Sequence, residues 1–199
     1  MQNYDPKIHK RCSIRLWGHD YSEEGAYFVT ICAKNKKYIF GKIVDCEMIL
    51  NKYGQVVYDE WFRSVTIRHK IEMDEFVIMP NHIHGIVIIH NDNFQSNGNC
   101  DKNVGAHGRA PLHRKPKSLG SFVAGFKSAT TKQINILRKT PGAPVWQRNY
   151  YERVIRNDDE LAHITEYIMN NTIWWHLDRE NPDRTGENDI YKKIWGDKK

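Results

Sequence analysis

Apolar positions in the first half of the chain form strand-like runs and one helix-like stretch. The run Ala26 to Ala33 (AYFVTICA) is dense in β-branched and aromatic residues, which is typical of a strand, and Cys46 to Leu50 is a shorter strand candidate. From Asn51 to Ser64 the apolar residues recur at helical spacing, which predicts an amphipathic helix. Ile71 to Pro80 and Asn81 to His90 then predict a strand pair or one long interrupted strand.

The second half begins without periodicity and continues with two helical patterns. Residues 91–118 are rich in Asn, Gly, Lys, His and Pro, which predicts a long surface loop. Ser118 to Arg138 has helical spacing, and Val145 to Ile155 predicts a strand or extended segment. Asn157 followed by Glu160 resembles a capping box, which predicts that a helix starts here.

The order of these elements predicts the fold class. A single α+β domain over residues 1–199 is expected, with a mostly antiparallel sheet and helices packed on one face. Its end, 182–199, is expected to be a polar C-terminal tail.

Length and composition agree with this expectation. The 199 residues are 40% hydrophobic and 12% aromatic, too apolar for a disordered chain and enough for one domain with a core. No stretch approaches the roughly 18 apolar residues of a membrane span, and no secretory signal is expected. The four cysteines form no CxxC pair, which disfavours a disulfide framework or a zinc ribbon. We therefore expect a soluble, cytoplasmic protein without a membrane partner.

Positive charge is concentrated in one central block. Between Lys102 and Tyr151 there are ten Lys or Arg residues and no Asp or Glu, so the formal net charge of +6 comes from this block. Such a block is expected of a polyanion binder, because each neutralised phosphate releases condensed counterions. A solvated basic loop is the alternative, and the uneven distribution of charge favours a nucleic-acid partner.

His82 and His84 form the first candidate site. In a strand, side chains at i and i+2 share a face, so both imidazoles would be presented to one ligand. Imidazole suits a transition metal, or Mg²⁺ or Mn²⁺ when oxygen ligands and a phosphate complete the shell. The pair interrupts an otherwise apolar strand, which favours a metal ligand over the alternative of a hydrogen-bonded core or surface pair.

Tyr167 is the second candidate. It lies at the edge of the predicted buried stripe of the capped helix, and Asn171 follows one turn later on the same side. A tyrosine at such an edge is more often a packing residue, yet its hydroxyl can attack phosphorus when a metal polarises the phosphate. The amide oxygen of Asn171 would then serve as a third metal ligand. Tyr150 and Tyr151 are rival nucleophiles.

Several long motifs, in order along the chain, resemble one known family. The segment Met79 to Val87 (MPNHIHGIV) resembles the His-hydrophobic-His (HUH) signature of the single-tyrosine transposases. Trp146 to Asn171 (WQRNYYERVIRNDDELAHITEYIMNN) resembles the C-terminal signature of the REP-associated tyrosine transposases. Two further segments, RCSIRLWGHDYSEEGAYFVTICAKN and LGSFVAGFKSATTKQIN, also resemble that group, so the resemblance covers residues 20 to 175.

This resemblance implies a specific chemistry. The family has a ferredoxin-like α+β fold, binds single-stranded DNA folded into hairpins, and cuts and rejoins it. By motif, His82, His84 and Asn171 would hold a divalent cation, Mg²⁺ or Mn²⁺, and Tyr167 would attack the scissile phosphate to leave a 5′-phosphotyrosine. The active unit would be a monomer or a homodimer.

The basic block would supply the DNA contacts. The candidates for phosphate binding are Lys115, Lys117, Lys127, Lys132 and Arg148. Three aromatic residues, Trp146, Tyr150 and Phe126, either stack on unpaired bases or belong to the core.

Two positions depart from the family pattern. Thr172 stands where the family commonly has Pro, and Arg153 stands where His is frequent. A hairpin-binding protein without catalytic activity is therefore one alternative, and a replication-initiator-like nickase is another. The intact set of His82, His84, Tyr167 and Asn171 favours the enzyme.

Overall fold

The computed structural model describes residues 19–91 and 118–187, together with Asp189, Tyr191 and Ile194. Apart from its two end positions, the loop predicted at 91–118 lies outside the described residues. The elements in these residues are β1 Gly25–Cys32, β2 Gly41–Val44, β3 Glu47–Leu50, α1 Lys52–Ile67, β4 Ile71–Ile78, β5 His82–Ile89, α2 Leu119–Leu137, β6 Tyr151–Ile155 and α3 Asp158–Met169. Single 3-10 turns at Lys34–Lys36 and Trp175–Leu177 follow β1 and α3.

Four strands form one antiparallel sheet in the order β4-β5-β1-β6. The strands β2 and β3 form a separate hairpin between β1 and α1. Without that hairpin, the elements up to β6 follow the order β-α-β-β-α-β, which is the ferredoxin-like arrangement. The predicted α+β class with a mostly antiparallel sheet is therefore confirmed.

One face of the sheet packs against α1 and α2 and forms the larger hydrophobic core. Because successive strand residues point to opposite faces, every second residue of β1 enters this core, namely Tyr27, Val29 and Ile31. Trp61 of α1 meets Phe122 and Phe126 of α2 edge-on, with ring centroids 5.5 Å apart in both pairs. The two helices thus share one face of the sheet.

The opposite face of the sheet packs against α3. The alternate residues of β1 and β5, such as Phe28 and Ile86, contact Ile164 and Ile168 from the apolar stripe of that helix. Ile194, within the predicted tail, is buried in the same cluster. The chain therefore has helices on both faces of the sheet, whereas the sequence predicted them on one face, because the apolar stripe of α3 does not show which face it covers. This second face carries the candidate site.

Side chains cap the start of each of the three α-helices. Asn51 accepts hydrogen bonds from the backbone N–H groups of Tyr53 and Gly54, and Ser118 accepts one from Ser121. Asn157 Oδ1 accepts the N–H of Glu160 at 2.8 Å, so α3 begins where the capping box predicts. The Glu160 carboxylate departs from the capping-box pattern, because it accepts the N–H of Arg156 rather than that of the N-cap residue Asn157.

Of the two strands in the β2–β3 hairpin, the sequence predicts only β3. Asp45 and Cys46 form the turn with φ values of 50° and 65°, both in the left-handed region. Such a turn is usually signalled by Asn-Gly or Asp-Gly, and this sequence lacks that signal, so β2 was missed. The segment predicted as extended at Val145 to Ile155 forms a regular strand only in its second half.

In the described residues, no helix combines the length and the apolar character that crossing a bilayer requires.

The close packing of α1 on β5 makes Gly85 sensitive to substitution. A Cβ atom at this position would lie 2.5 Å from Cζ2 of Trp61. We expect Gly85→Ala to lower the free energy of unfolding by roughly 1–3 kcal/mol, because the indole must move within a close-packed core. Urea unfolding monitored by circular dichroism measures this loss. In the Gly85→Ala/Trp61→Phe double variant the smaller ring should recover part of it, and strictly additive losses would contradict the proposed clash.

Candidate active site

Strand β5 directs His82 and His84 toward the sheet face that α3 covers. The two residues are separated by one position, so their side chains share this face. Their Nε2 atoms lie 3.0 Å apart, and both rings are buried. The structure thus brings the two histidines together, with one nitrogen of each ring facing a common point.

Asn81 sets the orientation of the His82 ring. Its Nδ2 donates to the backbone carbonyl of Glu180 at 2.8 Å and to that of Lys36 at 3.2 Å. Because an amide nitrogen only donates, Oδ1 is the atom 2.7 Å from His82 Nδ1, and that ring nitrogen carries the proton. The Nε2 of His82 is then left with a free lone pair, as metal coordination requires.

Thr30 has the corresponding position beside His84. Its Oγ1 lies 2.8 Å from Nδ1 of His84, across the β1–β5 pair in which the two residues are opposite each other. This contact occupies Nδ1, so Nε2 is again the nitrogen that faces the site.

Asp178 adds a carboxylate that the sequence analysis did not predict. Its Oδ2 lies 4.0 Å from Nε2 of His82 and 3.7 Å from Nε2 of His84. One ligand atom from each of the three residues lies within 4.8 Å of the others, and all three residues are buried. The sequence signal that could have pointed to Asp178 was weak: one acidic residue after an aromatic run (WWHLD). It lies in a segment without periodicity and beyond the end of the family resemblance.

Tyr167 extends from α3 into this cluster. Its hydroxyl donates to Asp178 Oδ2 at 3.0 Å and lies 3.4 Å from Nε2 of His84. Helical spacing predicts a position at the edge of the buried stripe, whereas the side chain is only 2% exposed. Burial, together with the Asp178 charge, raises the pKa of the Tyr167 hydroxyl well above its ordinary value, so it keeps its proton at neutral pH.

Asn171 lies just past the end of α3 and also contacts Asp178. Its Nδ2 donates to Oδ2 of Asp178 at 3.0 Å. Its Oδ1 is buried and has no hydrogen-bond partner among the described residues. A buried amide oxygen without a partner is costly, and a cation in the cluster would supply the partner.

The cluster is electrostatically prepared for a cation. Burial lowers the pKa of His82 to about 3, although the Asp178 charge opposes this, so the ring is a neutral ligand at pH 7. Burial alone would raise the pKa of Asp178, but the two imidazoles and the hydrogen bond from Asn171 hold it well below its usual range. Two imidazoles, an ionised carboxylate and an unpartnered amide oxygen fit a divalent metal ion, and the cluster could therefore hold one.

The described residues of the predicted DNA-binding set have different environments. Lys132 and Arg148 are exposed. Lys127 instead donates through Nζ to the backbone carbonyls of Gln147 at 3.0 Å and Asn149 at 2.9 Å, and so holds the segment before β6 against α2. Lys115 and Lys117 lie outside the described residues.

The aromatic residues predicted as stacking candidates or rival nucleophiles differ in burial and in their position relative to the site. Trp146 and Phe126 are buried in the core between the sheet and α2, whereas Tyr150 is half-buried. Tyr150 and Tyr151 line a cavity beside Tyr167. Among the described tyrosines, Tyr167 is the one for which a hydroxyl contact to the His82–His84–Asp178 cluster is present.

The structure gives the surroundings of Arg153 and Thr172, the two positions that depart from the pattern of the resembled family. Arg153 forms an ion pair with Glu160 at the start of α3. Thr172 follows Asn171, and the Asn171 side chain nevertheless reaches Asp178.

The fold of the chain has a known counterpart. A REP-associated tyrosine transposase, solved bound to a REP hairpin, superposes with a TM-score of 0.53 over 80% of this chain and 73% of that chain, at 16% identity. At this low identity the likeness establishes the fold, so the chain has the fold of a REP-associated tyrosine transposase, and the predicted relationship is confirmed at that level.

Sequence comparison gives the family. No protein-family model matches the chain. A protein of Haemophilus influenzae, described as uncharacterized, is 40% identical over 177 residues, which are 88% of this chain and 96% of that protein. The chain therefore belongs to the same protein family as this H. influenzae protein.

The hydrogen bonds of Asn81 predict how the site responds to substitution. Asn81→Leu removes the acceptor that keeps the His82 proton on Nδ1, and we expect Mn²⁺ affinity to fall by roughly 10- to 100-fold, the usual range for such a partner. Isothermal titration with Mn²⁺ measures the change. Asn81→Asp keeps an acceptor for His82 but loses both donated hydrogen bonds, so its Mn²⁺ affinity should lie between those of the unaltered protein and Asn81→Leu.

Asn170→Leu is the matched control for this titration. Asn170 is the neighbour of Asn171, and among the described residues its Nδ2 donates only to the carbonyl of Glu166 in its own helix. Its Mn²⁺ affinity should equal that of the unaltered protein. Equal affinities for Asn81→Leu and Asn170→Leu would show that Asn81 does not position the ring.

Proposed function

We propose that this protein is a metal-dependent single-stranded DNA transposase or nickase that cleaves and rejoins hairpin-forming DNA through a 5′-phosphotyrosine intermediate. One observation carries the proposal: the Tyr167 hydroxyl is held 3.0 Å from Asp178 Oδ2 and 3.4 Å from His84 Nε2, beside a buried cluster suited to a divalent cation. A nucleophile next to a phosphate-polarising centre is the arrangement that phosphoryl transfer requires.

The proposed cation is Mg²⁺ or Mn²⁺, held by His82, His84 and Asp178 with Asn171. When bound, it would neutralise negative charge on the oxygens of the scissile phosphate. Two imidazoles and mixed oxygen donors are compatible with Mn²⁺, and phosphate and water oxygens would complete the shell for either ion.

In the proposed cleavage step, the Tyr167 oxygen forms a bond to phosphorus while the bond from phosphorus to the 3′-oxygen breaks. Tyr167 loses its phenolic proton and the departing 3′-oxygen gains one, so the products are a 5′-phosphotyrosine and a free 3′-hydroxyl. Attack by a 3′-hydroxyl on the phosphotyrosine reverses the step. Strand joining then needs no ATP, because the phosphodiester energy is retained in the protein–DNA bond.

Two contacts of Tyr167 support its role as the nucleophile. The hydrogen bond to Asp178 orients the hydroxyl toward the cluster, and the ring packs edge-on against Phe28 with centroids 6.3 Å apart. A tyrosine fixed by both its ring and its hydroxyl loses little orientational freedom when substrate binds, which favours in-line attack.

Hairpin DNA is the substrate that we propose. Support comes from the acid-free basic block and from the fold shared with a transposase that was solved with a REP hairpin. Lys132 and Arg148 are exposed and available for phosphate contacts, whereas Lys127 is partly engaged by backbone carbonyls. A binder without catalysis has no need of a nucleophile, two imidazoles and an acid in one buried cluster, and we therefore favour the enzyme.

Substitution of the nucleophile tests the reaction. Tyr167→Phe should abolish the covalent protein–DNA adduct, because the attacking oxygen is removed, and should leave hairpin binding nearly intact. Labelled hairpin DNA with Mn²⁺, resolved on a denaturing protein gel, measures the adduct, and a gel shift measures binding. Tyr58→Phe removes an exposed hydroxyl on α1 and is the matched control. Undiminished adduct in Tyr167→Phe would show that Tyr167 is not the nucleophile. Tight binding without adduct in the unaltered protein would favour a hairpin-binding protein without catalytic activity.

Removal of the metal tests the role of the cluster. EDTA should abolish the adduct, and Mg²⁺ or Mn²⁺ should restore it, because the charge on the phosphate oxygens is otherwise uncompensated. His82→Ala should require a higher Mn²⁺ concentration for the same rate or fail altogether. Full adduct formation in EDTA would contradict a metal-dependent mechanism.

A further inference from the structure

We propose that the cavity beside Tyr167 binds one unpaired nucleobase of the DNA strand, next to the phosphate that Tyr167 attacks. This inference rests on the proposed function and adds a specificity site to it. The cavity has a volume of about 290 Å³ and opens between β1, the segment before β6 and the residues that follow Asp178.

The position of the cavity connects it to the chemistry. Tyr167 and His84 both line it, although His82 and Asp178 do not. A phosphate placed at the Tyr167 hydroxyl would therefore have the adjoining nucleotide at the entrance of the cavity. One end of the site would hold the reacting phosphate and the other end the base attached to the same strand.

The walls of the cavity suit a flat aromatic ring. Four aromatic side chains line it besides Tyr167, namely Phe28, Tyr150, Tyr151 and Tyr191. Phe28 is held in place because it stacks on His84, with ring centroids 5.3 Å apart, and meets Tyr151 edge-on at 6.4 Å. Unpaired bases bind proteins mainly by stacking on such side chains.

The polar groups of the cavity suit the edge of a base. Gln147 and Asn149 line the cavity, and the side chain of each carries an amide with both donors and an acceptor. Lys127 donates to the backbone carbonyls of both residues, so this wall is fixed to α2. Two amide side chains on an anchored backbone can distinguish one base edge from another, because donors and acceptors differ between bases.

Arg179 supplies a cation at the same cavity. Its Nη1 donates to the hydroxyl of Tyr191 at 2.6 Å, and its guanidinium lies over that ring, 5.7 Å from the centroid. The residue is exposed, and its remaining donors would bind the phosphate backbone of a strand that leaves the cavity.

The size of the cavity favours one base over a longer segment. Pockets for drug-sized ligands range from roughly 300 to 1,000 Å³, and this cavity is at the lower end. A single ring system fits this volume, whereas two stacked nucleotides do not. The occupant is therefore one base, flanked by the phosphate at Tyr167.

The test is a set of hairpin oligonucleotides in which each unpaired position is made abasic in turn. Binding to the unaltered protein in EDTA, where the strand stays intact, is measured by fluorescence anisotropy. We expect one position, adjacent to the cleaved phosphate, to lose roughly 5- to 150-fold in affinity, the equivalent of one base–aromatic stack. Uniform tolerance of abasic positions would overturn the proposal.

Two variants assign this effect to the cavity. Tyr150→Ala should weaken binding of the intact hairpin but should cause no further loss with the sensitive abasic hairpin, because the same contact is already absent. Asn149→Ala, at an exposed position, should alter base preference at that one position only. Tyr58→Ala on α1 is the control, and equal losses with intact and abasic DNA for Tyr150→Ala would contradict the site.

The outcomes separate this inference from the proposed function. A covalent adduct without any sensitive position would leave the nickase in place and overturn the base site. A sensitive position without an adduct would support the base site and overturn the cleavage chemistry. Failure to bind any hairpin would overturn both.

Discussion

The carboxylate of Asp178 is the point on which the arrangement of the candidate site depends. Its Oδ2 accepts hydrogen bonds from Tyr167 and Asn171 at 3.0 Å each, and its Oδ1 accepts the backbone N–H of Glu180 at 2.6 Å. A buried carboxylate is tolerated only with such partners, because its desolvation costs several kcal/mol. Oδ2 also lies 3.7 Å from Nε2 of His84, so this one atom connects α3, which carries Tyr167, to β5, which carries the two histidines.

The two faces of the sheet have different contents: one packs the main apolar core and the other carries the candidate site. Its α1–α2 face holds the larger, apolar core, whereas its α3 face mixes apolar contacts with the buried polar cluster. Because strand side chains alternate, β5 contributes to both faces: Ile83 and Val87 enter the core while His82 and His84 enter the site. The core thereby fixes the backbone that holds the two imidazoles in register.

Local patterns predicted most of the fold. Period-two alternation placed His82 and His84 on one face, and the capping residue Asn157 located the start of α3. Such signals involve neighbours in sequence, and they say little about how distant segments meet. The packing of α3 on the opposite face and the burial of Tyr167 depend on tertiary contacts.

Asp178 was missed for the same reason. It follows α3 in a segment without periodicity, and its return to the histidines is set by hydrogen bonds such as the one that the Asn81 side chain donates to the backbone carbonyl of Glu180. Lys127 illustrates the converse case. The sequence predicts Lys127 as a phosphate contact and gives no sign that its ammonium group also donates to two backbone carbonyls of its own chain.

The contact between Tyr167 and His84 lies within one chain, and this has a consequence for stoichiometry. Under the proposed chemistry, a chain that presents one tyrosine hydroxyl to its own histidines can carry one strand end at a time. A DNA segment that must be cut at both of its ends then needs either two copies of the chain acting together or two successive rounds by one copy. Under that proposed chemistry, the fold of a single chain limits each catalytic cycle to one broken phosphodiester.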